Sequence, residues 1–241
     1  MEVLRSATDA VLHPAAEAIV AANGPDSWVW WDWVGRHGSE IWTRTQEHVF
    51  LTVVSVVIGA LIALPLAVVA SRVRRLAPPL LIVSGTIYTV PSLALFALLV
   101  PWTGLTRTTS LIALTGYTLL VLARNTLTGL AEVPDDVKEA AAGTGYSWPR
   151  QLWQIELPLA LPTIVAGVRI ATVTTIGLVT VAALIGQGGY GQLIYDGLDR
   201  DFRTPIVVGS ALSVALAVVA DLGLLGVQRA VSPWSRRGAA T

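Results

Sequence analysis

Arg169 and Asp221 are the ionisable residues inside two otherwise uncharged apolar runs, 157–185 and 205–228. A charge at such a position needs an opposite charge, a hydrogen-bonding partner or a water-filled cavity. At 1.5 Å per residue, Arg169 lies about 12 Å in from Leu161 and Asp221 about 10 Å in from Gln228. Similar depths predict an intramembrane ion pair, with a structural or gating role. Acid–base catalysis would need paired carboxylates, or histidine beside a carboxylate, near one membrane face. The apolar runs offer neither, so an integral-membrane enzyme is disfavoured. Gly186-Gln187-Gly188-Gly189-Tyr190-Gly191 fits G-x-G-x-x-G, but that fingerprint binds dinucleotides only after a strand in a βαβ unit. Here it follows a long apolar run and reads as a tight glycine turn between spans. No G-x-x-x-x-G-K-[ST] loop occurs, so no ATP site is expected in this chain. With zero cysteines and three histidines, His13, His37 and His48, all preceding the first apolar run, no metal site is expected either. The histidines read as solvated or interfacial.

These residues are set in a chain built for lipid. Of 241 residues, 54% are hydrophobic and 13% charged, where a soluble domain carries about 25% charged residues. Mean hydropathy is +0.65. A net charge of zero gives no one-sided basic field for nucleic acid. Residues 1–22 hold no continuous apolar stretch and do not read as a signal peptide. A span needs about 20 apolar residues. The predicted spans are Val49 to Ala70; Ala77 to Val100, interrupted by Pro91; Thr108 to Ala123, extending through Arg124 and Asn125; Leu157 to Ile185; and Pro205 to Gln228.

Arginine and lysine in short loops set the orientation. With the loop after the first span in the cytoplasm, the inner set is Arg72, Arg74, Arg75, Arg124, Lys138, Arg150, Arg229, Arg236 and Arg237, against Arg107, Arg200 and Arg203 outside. This puts the N-terminus outside and the C-terminus inside, although Arg5, Arg36 and Arg44 of the leader oppose it. From Ser27 to Trp42, five tryptophans stand among Asp32, Arg36, His37 and Glu40, the composition of a helix lying flat in the headgroup layer. An aromatic cage for a quaternary ammonium is the alternative. Tyr88, Pro91 and Ser92 in the second span, and Thr172, Thr174 and Thr175 in the fourth, are candidates for lining a pathway. A proline loosens a span where neighbours or water satisfy the freed carbonyl; hydroxyls equally serve packing between helices.

Between the third and fourth spans, residues 131–158 are too polar for lipid and fall on the cytoplasmic side. Pro134 suits a first helical turn, and Asp135 and Asp136 favour the positive end of the helix dipole, while Val133 is a poor N-cap. Ala140, Ala141 and Ala142 favour helix with little bulk, so another protein can approach closely. Gly143 and Gly145 permit a left-handed cap and a sharp turn. Ser147 can cap a second helix through Glu156, with Pro158 and Pro162 ending or kinking it. A DNA-binding helix-turn-helix fails on charge, since Glu132, Asp135, Asp136, Glu139 and Glu156 outnumber Lys138 and Arg150.

Glu139-Ala140-Ala141, Gly145 four residues on, Ile155 and Leu157-Pro158 resemble the EAA loop of ABC importer permeases, and the resemblance extends from about His48 to Arg229. It implies an all-α integral membrane protein of about five spans with a methionine-permease-like, type I importer core, an N-terminal interfacial helix and a cytoplasmic coupling helix. The division is then a leader, 1–47, a permease domain, 48–229, and a cytoplasmic tail, 230–241. Glu139, Ala140, Ala141 and Gly145 would meet the ATPase, and Ile155, Leu157 and Pro158 would set how the second helix enters the fourth span. Implied partners are an ABC ATPase dimer that binds ATP and Mg, a second permease copy or a related one, and an extracytoplasmic substrate-binding protein. The implied location is the bacterial cytoplasmic membrane. A channel or receptor without an ATPase is disfavoured by the loop. Thr89-Val90-Pro91-Ser92-Leu93-Ala94-Leu95, Arg124-Asn125-Thr126, Leu157 to Pro162 and Ala182 to Gly186 resemble permeases for glycine betaine, choline and carnitine. Amino acids such as methionine are the alternative cargo.

Overall fold

Residues 28–231 are described by the computed structural model, and they form helices joined by short turns, with no strand among them. Helix α1 (Trp31–Arg36) breaks at His37 and α2 (Gly38–Arg72) follows. A 3₁₀ turn (Arg74–Leu76) leads to α3 (Ala77–Thr89) and α4 (Ser92–Thr103). Helix α5 (Arg107–Ala131) precedes α6 (Asp135–Gly143) and α7 (Trp148–Gln151), which widens into a π-turn (Leu152–Glu156) and continues as α8 (Leu157–Val181). After a 3₁₀ turn (Ala182–Ile185) come α9 (Tyr190–Asp199) and α10 (Arg203–Val231).

Helices α2, α5 and α8 pack as a trio because small residues line the contacts, the arrangement that permits close approach where hydrophobic driving force is weak. The buried face of α2 runs Thr52, Ser55, Gly59, Ala63, Ala67 and Ala70. A Cβ at Gly59 would lie 1.8 Å from Thr118 Oγ1, and one at Gly167 2.5 Å from Asn125 Cβ. Beside this trio, Phe96 of α4 fills a cluster with Leu51, Leu114, Val179 and Ile185.

The second span is not one straight helix. Helices α3 and α4 meet at Val90-Pro91 at 96°, because proline cannot donate to the ladder and the residue before it turns extended; Val90 has φ −64° and ψ 129°. The pair still crosses once. Its start, Ala77, follows Arg72, which pairs with Glu156, while its end leads to Arg107, which pairs with Glu47 at 3.7 Å. Glu47 and Arg72 belong to opposite ends of α2, about 37 Å apart, so the bent pair joins opposite faces. Five spans result, as the sequence predicts.

Other expectations need correction. The helix read in the Trp-rich stretch before the first span is short, Trp31–Arg36, and ends at His37. Trp42 already belongs to α2, while Trp30 and Trp33 set their edges on Phe202 at 6.3 and 5.7 Å, and the Trp30 N–H donates to Thr204 Oγ1 at 2.9 Å. Arg36 lies over Trp30 and Arg203 over Trp28, so two of these rings already meet cations of the chain's own. The turn between the fourth and fifth spans includes a helix, α9, that hydropathy does not reveal. Pro158 and Pro162 do not end the loop's second helix: it widens into the π-turn before Pro158 and runs on as the fourth span. His13, residues 1–27 of the leader, and Arg5, Arg236 and Arg237 of the charge count lie outside the described residues.

Candidate functional site

The cytoplasmic loop forms a short helix, a turn and a second helix. Helix α6 starts one residue later than expected, with Pro134 at the N-cap and Val133 buried behind it. Asp135 accepts from Lys138 Nζ at 3.0 Å, and the Asp136 carboxylate accepts from the Val137 N–H at 2.9 Å, placing negative charge at the positive helix end. At the other end the Tyr146 N–H donates to Ala141 O and the Gly145 N–H to Ala142 O. This pair of bonds is a Schellman motif, and it puts Gly145 at φ +84°, in left-handed space that glycine enters without steric penalty.

Glu139, Ala140, Ala142 and Gly145 are exposed, but Ala141 is 5% exposed. Ala141 therefore packs α6 onto its own chain instead of offering a surface to a partner. Ser147 occupies the N-cap of α7, yet its hydroxyl makes no capping bond. Ile155, Leu157 and Pro158 are half-buried and lie at the π-turn and the entry to α8. Trp148 and Trp153 stand exposed beside them.

Sequence reasoning missed what holds the loop. Glu156 is buried, and its Oε1 accepts from Arg72 Nη2 and from Gln151 Nε2, the latter at 2.9 Å. The same Arg72 guanidinium lies over the Trp148 ring, 5.5 Å from its centroid. Thr163 of α8 donates to Glu132 Oε2 at 2.7 Å, tying the loop's first residues to its last helix. The available signal was one basic and one acidic residue at the same membrane edge, Arg72 closing one apolar run and Glu156 opening another.

The structure brings Arg169 and Asp221 together. Nε and Nη2 donate to the two carboxylate oxygens at 3.0 and 2.9 Å, while Nη1 donates to Gln228 Oε1 at 2.8 Å. Gln228 Nε2 in turn donates to Pro162 O at 2.9 Å. Bidentate geometry fixes orientation as well as distance. This matters for α10, whose buried residues, Thr204, Pro205 and Gly209, all lie in its first two turns.

The candidate pathway residues separate. Tyr88, Pro91 and Ser92 gather at the α3–α4 bend, where the Tyr117 hydroxyl donates to Val90 O and the Tyr88 ring meets the Tyr117 ring at 6.0 Å, nearly perpendicular. Thr172 and Thr175 hydrogen-bond to Val168 O and Ala171 O within their own helix, and Thr175 is fully buried. Thr174 faces the groove between α8 and α10 that also contains Arg169 and Asp221.

His48 departs from the expectation of a solvated or interfacial histidine. It is fully buried; its Nε2 meets Ile176 O at 3.1 Å and its Nδ1 accepts from the Tyr190 N–H at 3.3 Å. It thereby joins α2, α8 and α9. The glycine-rich turn packs against it: a Cβ on Gly189, at φ +49°, would lie 2.6 Å from His48 Cβ. Helical spacing with Thr52 and Ser55 was the usable signal. No group of three metal-ligating side chains occurs among the described residues.

Residues 52–237 match the family described as binding-protein-dependent transport system inner membrane component. The choline transport system permease protein OpuBB of Bacillus subtilis is 36% identical over 198 residues, 82% of this chain and 91% of that one. The glycine betaine/carnitine/choline permease OpuCB of the same organism is 34% identical over 203 residues, 84% and 93% of the two chains. The osmoprotectant import permease OsmW of Salmonella typhimurium is 35% identical over 195 residues, 78% and 90% of the two. Among solved structures, the inward-facing MetNI methionine ABC transporter aligns with a TM-score of 0.69 over 79% of this chain and 94% of that one. At 23% identity, this likeness speaks to the fold.

Proposed function

Because the chain belongs to the family of binding-protein-dependent transport system inner membrane components, we propose that it is the permease of an ABC importer for quaternary-amine osmoprotectants such as choline, glycine betaine or carnitine. The observation that carries the transport reading is the exposed α6 and its glycine turn, fixed to α2, α5 and α8 by Arg72, Glu132 and Glu156. A separate ATPase dimer docks on Glu139, Ala140 and Gly145, and its ATP-driven closure moves the attached spans. A second permease, a copy or a relative, encloses the pathway with this one, and an external binding protein delivers cargo to the face that includes Glu47 and Arg107. The N-terminus then lies outside and the C-terminus in the cytoplasm. The cargo class rests on the relatives, several of which are named for choline, glycine betaine or carnitine. The methionine alternative has only the distant likeness of fold behind it.

The test is reconstitution of the permease in vesicles with its cognate ATPase and binding protein. ATP-dependent uptake of labelled choline, glycine betaine or carnitine, unaffected by excess methionine, is the expected result. Uptake of methionine in their place would overturn the cargo reading. Uptake that persists with no ATPase present would overturn the importer reading.

A further inference from the structure

The break between α3 and α4 falls midway along the second span. Ala77 to Tyr88 spans about 17 Å of helix, roughly half of a 30 Å hydrocarbon core. Val90 O, left without a helical donor where Val90 turns extended before Pro91, is bound by the hydroxyl of Tyr117, itself about 15 Å along α5 from Arg107. Tyr117 is buried and Tyr88 is 38% exposed, with Thr86 and Thr89 exposed beside it. Both threonine hydroxyls are satisfied within their own helix, by Ile82 O and Thr86 O. The Tyr88 hydroxyl takes no hydrogen-bond partner among the described residues. A phenol unpartnered at mid-depth is costly against lipid, so its hydroxyl calls for a polar neighbour from beyond this chain.

From residue 76 to residue 106 there is no charged side chain. A trimethylammonium group arriving here meets neither a carboxylate to trap it nor a cation to repel it. What attracts it is the negative face of an aromatic ring. The two rings stand at 72° to each other and form a corner, its inner member fixed by the Tyr117–Val90 bond and its outer member open. A site of this kind holds an ammonium group weakly enough to release it, as a transport pathway requires.

We infer that Tyr88, positioned by Tyr117 at the broken second span, is a cargo contact in the translocation pathway, where its ring takes the quaternary ammonium group. This rests on the osmoprotectant reading. The contact belongs to Tyr88; Tyr117 acts by holding the bend.

The test measures uptake of labelled choline at limiting concentration, together with ATP hydrolysis, in the reconstituted transporter. Tyr88→Phe keeps the ring and uptake stays within about threefold of wild type, whereas Tyr88→Leu lowers it at least about fivefold. Binding-protein-stimulated ATP hydrolysis persists in both, which reports intact assembly. Phenylalanine and its mono-, di- and trifluorinated forms at position 88 lower uptake stepwise, since fluorine drains the ring face without changing its shape much. Wild-type uptake with Tyr88→Leu, equal losses with Tyr88→Phe and Tyr88→Leu, or uptake indifferent to fluorination would overturn the inference while leaving the cargo reading intact. A wild-type transporter that carries no quaternary amine would overturn both.

Discussion

Replacing Arg72 with glutamine tests whether the loop is held as the structure indicates. The substitution takes the cation from the Glu156 carboxylate, whose side chain is 3% exposed, and leaves it the Gln151 amide. Removing one member of a fully buried pair costs about 3–5 kcal/mol, whereas an exposed pair contributes about 0–1 kcal/mol. Arg72 is 29% exposed, so the discounted figure is about 2 kcal/mol. That is about a 30-fold rise in the population with the loop undocked from α2. Hydrogen exchange reads this directly: amides of residues 148–156 should exchange about 30-fold faster in Arg72→Gln, with those at the centre of α5 unchanged. Uptake per ATP hydrolysed should fall in parallel. Glu156→Gln alone should be milder, about 1 kcal/mol, because Arg72 can turn to water. The double variant should return exchange to within about threefold of wild type, since no unpaired charge remains buried. Exchange unchanged in Arg72→Gln, or a double variant worse than either single, would refute the clamp.

Glu139→Arg reverses a charge on the exposed face of α6, and uptake and co-purification of the ATPase should be lost while membrane insertion is retained. Gly145→Val forces a β-branched residue to φ +84°, a conformation costing at least about 1–2 kcal/mol; the same two readouts should fall, and normal stimulated ATP hydrolysis would contradict the docking assignment. Arg169→Asp and Asp221→Arg should each lower the yield of assembled protein measured by size-exclusion chromatography, and the exchanged pair should recover part of it. No recovery would mean that the surroundings, rather than the pair, fix the orientation of these charges. Gly191→Ala would place a Cβ 2.1 Å from Thr180 O, so α9 cannot seat on α8 and folded yield should drop sharply.

What sequence could give depended on how local each cause was. The apolar runs report their own burial in lipid, so the spans were legible, as was the left-handed turn at Gly145, set by one residue's backbone freedom. The Arg169–Asp221 pair was legible because a charge in an apolar run narrows its partners to very few. Glu156 and Arg72 were not, since each sits at a polar edge with many candidate partners and is 84 residues from the other. His48 was misread for a related reason: hydropathy counts it with the leader, while its burial comes from a glycine turn 141 residues away that packs against its Cα and Cβ. The bend at Pro91 was visible as an interruption. Its angle was not, because Pro91 turns Val90 extended and the hydroxyl of Tyr117, 27 residues away, then holds the Val90 carbonyl.

Helix α6 can transmit motion only if the loop does not absorb it. Joined to α5 and α8 by flexible chain alone, a push on Ala140 would dissipate in the glycine turn, since loop closure resists displacement weakly. Three attachments prevent this. Glu132–Thr163 binds the loop's entry to α8, Ala141 is packed inside, and Glu156–Arg72 binds its exit to α2. A displacement of α6 must then move α2, α5 and α8 together as the close-packed trio they form, or break one attachment. The weaker attachments lie elsewhere, at the Pro91 bend and along α10, which is buried only in its first two turns. On the proposed coupling, weakening the Arg72 clamp should therefore impair uptake more than it impairs ATP hydrolysis.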